Sequence, residues 1–82
     1  MDTPFIKRFY RIPRAEIGYL RFILESYDGL AFVRTLDRRE ALVEVAYPPS
    51  RRFDAEDLLG ALAEECSLTE TVAPEPEFYP PL

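Results

Sequence analysis

The sequence predicts an α+β domain in which four strands and two helices follow one another as strand, helix, strand, strand, helix, strand. Two stretches with apolar residues at helical spacing indicate the helices, and short β-branched and aromatic runs bounded by proline or glycine indicate the strands. The chain has 82 residues, of which 48% are hydrophobic and 30% are charged. This length suits a single domain, which we place at residues 1–73, followed by a proline-rich tail at residues 74–82.

The first strand is predicted at residues 5–12, and Pro13 ends it. A proline suits the opening of a helix because its missing N–H is not needed in the first turn. The first helix is therefore expected at residues 14–27, and Gly29 is expected to close it in the left-handed conformation that glycine adopts cheaply. Its core face is formed by Ile17, Leu20, Ile23, Leu24 and Tyr27.

The second and third strands are predicted as a hairpin of residues 30–36 and 41–47. A two-residue turn formed by Arg38 and Arg39 places Phe32 opposite Val45. The side chains of Phe32 and Val45 are then expected to face the helices. On this register the opposite face of the sheet carries Val33, Thr35, Leu42 and Glu44. Two arginines are unfavourable in such a turn, so a longer, bulged loop stays open as an alternative.

The second helix is predicted from its entry signals. Asp54 is suited to the N-cap position, and Phe53 and Leu58 occupy the two positions of a hydrophobic staple. Its core face is expected to contain Ala55, Leu58, Leu59, Leu62 and Cys66. A short fourth strand is expected at residues 68–72, before Pro74.

This order of elements is the split βαβ pattern of a ferredoxin-like βαββαβ sandwich. Right-handed crossovers place the first and third strands in the centre of a four-stranded antiparallel sheet, with both helices on one face. The other face is then left open. Phe9, Val33 and Leu42 are expected on it, and they predict an interface through which two copies form a homo-oligomer.

The composition excludes several kinds of site. The chain has no histidine and one cysteine, so it cannot form an internal disulfide, a Cys/His zinc site or a histidine-dependent nucleophile pair. We expect no enzyme activity, no cofactor and no metal. The net charge of −5 makes nucleic acid an unfavoured partner. Neither a membrane-length apolar run nor a signal peptide is evident, so a cytoplasmic location is expected.

Two further groups of residues are candidate binding sites. Glu25, Tyr27 and Asp28 form a polar corner at the end of the first helix, for which a solvated helix end is the simpler interpretation. Tyr19 and Phe22 lie outside the core face of the same helix. The tail carries Phe78 and Tyr79 among prolines, which lower the entropic cost of binding in an extended form. We therefore expect the tail either to dock on Tyr19 and Phe22, in its own or a neighbouring subunit, or to stay free.

One part of the sequence resembles a known family. The residues that carry the resemblance are the run IGYLRFILESYDGLA at residues 17–31, the run TLDRREALVEV at residues 35–45, and Pro48 and Pro49. On these residues, the chain resembles a family of short bacterial proteins classed as a domain of unknown function. The resemblance covers about residues 6–66, and ESYDGL is its most specific part. It implies a single bacterial domain without a known activity.

The order of elements is also similar to that of ACT domains, which are small ligand-sensing modules. Two functions are therefore open. The first is a non-enzymatic interaction or regulatory module that self-associates through the open sheet face. The alternative is an ACT-like domain that senses an amino acid or another metabolite.

Overall fold

The structure of the protein is a computed structural model that describes residues 4–73. The strands are β1 (Ile6–Arg11), β2 (Phe32–Asp37), β3 (Leu42–Tyr47) and β4 (Thr69–Thr71), and the helices are α1 (Ile17–Glu25) and α2 (Arg52–Glu65). Short 3-10 turns at Arg14–Glu16 and Pro49–Arg51 lead into the two helices. The element order is therefore the one that the sequence predicts.

The four strands form one sheet in the order β2-β3-β1-β4, and every neighbouring pair is antiparallel. Strands β1 and β3 are central, as predicted. Both helices pack on the same face, because their buried residues belong to one hydrophobic cluster with the inward residues of β1 and β3. The strand residues of this cluster are Tyr10, Val43, Val45 and Tyr47, and the helix residues are Leu20, Leu24, Ala55, Leu59 and Leu62. Ile12, directly after β1, also belongs to it. The predicted ferredoxin-like α+β fold class is confirmed.

Cys66 closes the core at the end of α2. Its side chain is fully buried, and this burial raises the pKa of the thiol, with the carboxylates of Glu16 and Glu65 adding to the effect. A raised pKa keeps the sulfur protonated and unreactive. Cys66 is therefore part of the apolar packing, as its position on the helix predicts.

The β2–β3 hairpin differs by one residue from the predicted register. Phe32 lies opposite Ala46, and Val33 lies opposite Val45. Because neighbouring residues of a strand point to opposite faces, this slip exchanges the two faces of β2. Val33 packs against the core, whereas Phe32 lies on the open side of the sheet. The predicted place of Val33 on the open face is therefore wrong.

The physical reason for the slip lies in the turn. The Asp37 carboxylate accepts hydrogen bonds from the backbone N–H groups of Arg39 and Glu40, at 2.9 and 3.2 Å. Ala41 adopts a left-handed φ of 54°, and the ladder is irregular between Thr35 and Asp37. A two-residue turn needs left-handed conformations that arginine adopts only at a cost, so the chain forms the longer, bulged loop instead.

The helix ends also differ from the prediction. Helix α2 begins at Arg52, before Asp54, because the prolines before it start a 3-10 turn that leads directly into the helix. Phe53 is 80% exposed, so the predicted hydrophobic staple is not formed. Helix α1 ends at Glu25, and Gly29 has the expected left-handed φ of 70° in a separate turn after it. Tyr27 therefore lies beyond the helix and is 47% exposed, so its predicted place on the core face is wrong.

Candidate functional site

The open face of the sheet lies opposite both helices. It is formed by Lys7, Phe9 and Arg11 of β1, Phe32 and Arg34 of β2, and Leu42, Glu44 and Ala46 of β3. Of the three residues predicted to form an interface, Phe9 and Leu42 belong to this face. Leu42 is only 5% exposed and Phe9 is half-buried, so neither offers much free surface. Their role as interface residues stays a prediction.

A stacked aromatic pair forms the most exposed apolar part of this face. The ring centroids of Phe5 and Phe32 lie 5.9 Å apart, and the ring planes meet at 24°. Phe5 is 44% exposed and Phe32 is 53% exposed. The predicted register hid this pair by turning Phe32 towards the helices. The sequence signal that could have found it is the unfavourable turn chemistry of the two arginines.

A groove of about 440 Å³ lies beside the two rings. Apart from the phenylalanines, its walls are formed mainly by Lys7, Arg34, Glu44 and Ala46. The Arg34 Nη2 atom lies 3.5 Å from Glu44 Oε2, and the Glu44 side chain is only 11% exposed. Arg34 Nε is buried and has no hydrogen-bond partner within residues 4–73. The groove therefore combines an apolar wall with a buried ion pair that is not fully satisfied.

The ion pairs make the open face nearly neutral. Arg11 Nη1 lies 3.5 Å from Glu40 Oε2 and also donates a hydrogen bond to the Glu40 carbonyl oxygen, at 3.1 Å. Arg11 and Arg34 are therefore both paired with a carboxylate. Lys7 is the cation of the open face that has no ion pair within the described part of the chain. A nearly neutral surface can meet another copy of itself without strong repulsion.

A second polar group, the Arg8 cluster, lies on the helix side. It consists of Arg8, Tyr47, Glu56 and Glu70. The guanidinium of Arg8 donates to the Tyr47 hydroxyl at 3.1 Å, to Glu70 Oε2 at 2.9 Å and to Glu56 Oε2 at 3.0 Å. The Tyr47 hydroxyl in turn donates to Glu56 Oε2 at 2.8 Å. These bonds join β1, β3, α2 and the edge strand β4.

The hydrogen bonds of the Arg8 cluster also set its protonation. The hydrogen bond from the Tyr47 hydroxyl lowers the pKa of Glu56, and the guanidinium groups of Arg8 and Arg52 lower it further. Partial burial of the carboxylate acts in the opposite direction. Burial raises the pKa of Tyr47. The carboxylate therefore stays ionised and the phenol stays protonated near neutral pH. These protonation states preserve the hydrogen bond from the Tyr47 hydroxyl to the Glu56 carboxylate.

A family model matches residues 10–66, which is more than half of the chain. The chain belongs to the family described as a domain of unknown function, DUF4911. The resemblance to such a family is thereby confirmed. The comparisons with curated proteins and with solved structures found no match. The DUF4911 match covers both helices and the β2–β3 hairpin, whereas Phe5 and β4 lie outside it.

The predicted binding corner of this DUF4911 member is only partly brought together. Glu25, Tyr27 and Asp28 are all exposed. Tyr27 borders a depression of about 450 Å³, but Glu25 and Asp28 do not line it. The backbone oxygen of Asp28 accepts a hydrogen bond from Arg51 Nη1 at 3.3 Å. A binding role for these three residues stays a prediction.

The predicted docking surface for the tail lies on the outside of α1. Phe22 is 67% exposed, and the hydroxyl of Tyr19 donates a hydrogen bond to Glu65 of α2 at 2.5 Å. This bond ties Tyr19 to the neighbouring helix and leaves its ring partly exposed. Phe78 and Tyr79 lie outside the described residues, so docking of the tail stays a prediction.

Within residues 4–73, no group of three or more Asp, Glu, Cys or His side chains is arranged to hold a metal ion. No helix in the same range has the length and apolar character needed to cross a membrane.

Proposed function

We propose that the protein is a non-enzymatic interaction module that self-associates through its open face as a symmetric dimer. The observation that carries this proposal is the stacked pair of Phe5 and Phe32, which stays about half exposed on the sheet face opposite both helices. An exposed, contiguous aromatic patch on a small domain is typical of a surface that binds another protein.

The area of the two rings supports association that is weak but specific. A phenylalanine buries about 200 Å² in a core, so the exposed halves of Phe5 and Phe32 correspond to about 100 Å² each. At about 25 cal/mol per Å², burying both rings of both copies contributes about 10 kcal/mol. The cost of association is of similar size, about 4–15 kcal/mol, so the net affinity is expected to be modest.

The size of the sheet leads to the same expectation. Strands β1, β2 and β3 have six residues each, and β4 has three. At the usual strand spacing and rise, the face covers at most roughly 400 Å². Stable complexes bury about 800 Å² on each partner, so a dimer through this face alone is reversible. The net charge of −5 on each copy adds repulsion that salt screens, so association is expected to strengthen as the salt concentration rises.

The test is sedimentation velocity of the full chain and of Phe32→Ser over a range from ~10 µM to ~1 mM, which spans the affinity expected of a weak dimer. The wild-type chain is expected to shift from monomer to dimer, and Phe32→Ser is expected to weaken this shift at least tenfold. Phe22→Ser is the matched control, because Phe22 is also an exposed phenylalanine but lies on α1. A wild-type chain that stays monomeric, or an equal loss in both variants, contradicts the proposal.

The second candidate function is small-molecule sensing of the ACT-like kind, and the groove beside Phe5 and Phe32 favours it. Its volume of about 440 Å³ lies within the usual range of small-ligand pockets, about 300–1,000 Å³. A thermal-shift screen of amino acids and common metabolites tests this function. A ligand that raises the Tm of the wild-type chain but not of Phe32→Ser, without a change in mass, supports sensing over self-association.

A further inference from the structure

We propose that a pocket on the helix side of the molecule binds a small anionic molecule that carries a phosphate group or closely spaced carboxylates. The pocket has a volume of about 380 Å³ and is lined by Arg14, Ile17, Gly18, Arg21, Thr35 and Arg38. We call it the arginine pocket. Its three arginines come from the 3-10 turn before α1, from α1 itself and from the β2–β3 loop.

The arginines of this pocket have no acidic partner among the described residues. None of the lining residues is acidic, and within residues 4–73 no ion pair joins Arg14, Arg21 or Arg38 to a carboxylate. Arg21 Nη2 donates to the Thr35 hydroxyl at 3.3 Å. By contrast, ion pairs hold four other arginines, namely Arg8, Arg11, Arg34 and Arg52. Three like charges around one cavity repel one another, and a bound anion relieves that repulsion.

The chemistry of the lining selects the class of ligand. A guanidinium presents its N–H groups as a planar fork that matches the paired oxygens of phosphate and carboxylate groups. Ile17 and Gly18 belong to the first turn of α1, where the positive end of the helix dipole adds to the attraction for an anion. The space beside Gly18 is open, because no neighbouring atom lies within 4 Å of the position that a Cβ would take.

The size and surroundings of the arginine pocket favour a small molecule over nucleic acid. Its volume is that of a small-ligand site. The chain as a whole carries a charge of −5, which repels a long polyanion such as RNA. Thr35 pairs with Val43 on the helix side of the sheet, so this pocket is separate from the open face. The inference is therefore independent of self-association.

The experiment is a titration of the full chain with inorganic pyrophosphate and, separately, with citrate at low ionic strength, followed by amide NMR shifts and calorimetry. We expect saturable binding with a Kd of roughly 0.1–1 mM, accompanied by shifts at Gly18, Thr35 and Arg38. Tighter binding of pyrophosphate identifies a phosphate-bearing ligand, and tighter binding of citrate identifies a carboxylate-bearing one. Either result supports the site.

Two neighbouring arginines provide a matched control. Arg38→Ala is expected to weaken binding about tenfold, whereas Arg39→Ala, which removes the same charge from the same loop but not from the pocket lining, is expected to change it less than twofold. Arg14→Gln is a second variant with the same expectation as Arg38→Ala, and thermal melts confirm that each variant folds. Equal loss in Arg38→Ala and Arg39→Ala, no saturable binding of either anion, or tighter binding of a single-stranded RNA oligomer overturns the inference.

Discussion

The Tyr47 hydroxyl offers a sharp test of how the sheet is joined to α2. Tyr47 is fully buried. Its hydroxyl donates a hydrogen bond to Glu56 at 2.8 Å and accepts one from Arg8 at 3.1 Å. Tyr47→Phe keeps the ring packing but removes both hydrogen bonds. Hydrogen bonds to charged groups contribute about 1.5–3 kcal/mol each. Arg8 and Glu56 remain paired at 3.0 Å and their side chains are 35% and 29% exposed, so water replaces part of the loss. We therefore expect the free energy of unfolding to fall by about 1.5 kcal/mol in total.

Urea unfolding at neutral pH and a thermal melt measure this change. For a domain of this size, a loss of about 1.5 kcal/mol lowers the Tm by roughly 6–12 °C. Tyr27→Phe is the matched control, because Tyr27 is exposed and its hydroxyl has no hydrogen bond within residues 4–73, so its effect is expected to stay within about 0.5 kcal/mol. If Tyr47→Phe is as stable as the wild-type chain, or if both variants lose the same stability, the Arg8 cluster does not join the sheet to the helix as argued.

Two further predictions concern acid stability and the tail. The folded chain lowers the pKa of Glu56, so the stability that its carboxylate contributes is present above the usual value of about 4.5 and is lost as the pH falls through the lowered value. Urea midpoints below about pH 4.5 are therefore expected to fall more steeply for the wild-type chain than for Glu56→Gln, and parallel curves contradict the assignment. Deletion of residues 74–82 is expected to lower the Tm if the tail docks on Tyr19 and Phe22, and an unchanged melt and oligomeric state contradict docking of the tail.

Local patterns in the sequence predicted most of the fold. The predicted place of Phe9 on the open face agrees with the structure, in which its neighbour Tyr10 points to the other side and belongs to the core. The helical spacing of Leu20 and Leu24 likewise placed both in the core. These patterns have short periods, so a few consecutive residues are enough to identify the buried face of an element.

The period-two pattern of apolar residues did not predict the register of the β2–β3 hairpin. Both registers of β2 against β3 give a face with apolar residues, and the turn chemistry alone separates them. The Asp37 carboxylate and the left-handed Ala41 lengthen the loop, and this moves Phe32 from the predicted core side to the open face. A one-residue slip therefore decided which aromatic residues are available to a partner.

The charged clusters were also invisible before folding. Nothing in the sequence around Arg8 and Arg14 distinguishes the surroundings of these two arginines. In the structure Arg8 binds Glu56 and Glu70, whereas Arg14 joins the arginine pocket with no ion pair inside the described range. Their partners come from α1, α2, β3, β4 and the hairpin loop, so sequence spacing carries no information about them.

The sequence by itself determined the order of the six elements and most of the buried face of each helix, because these depend on periodicities of two and 3.6 residues within single segments. That order, with right-handed crossovers, also determined the kind of sheet. Only the tertiary structure decided that Phe5 stacks on Phe32, that Arg8 binds two carboxylates, and that three other arginines line one pocket without an ion pair inside residues 4–73. The physical reason is that these contacts join different elements of the fold, so their geometry depends on the hairpin register and on tertiary packing rather than on the periodicity of one segment.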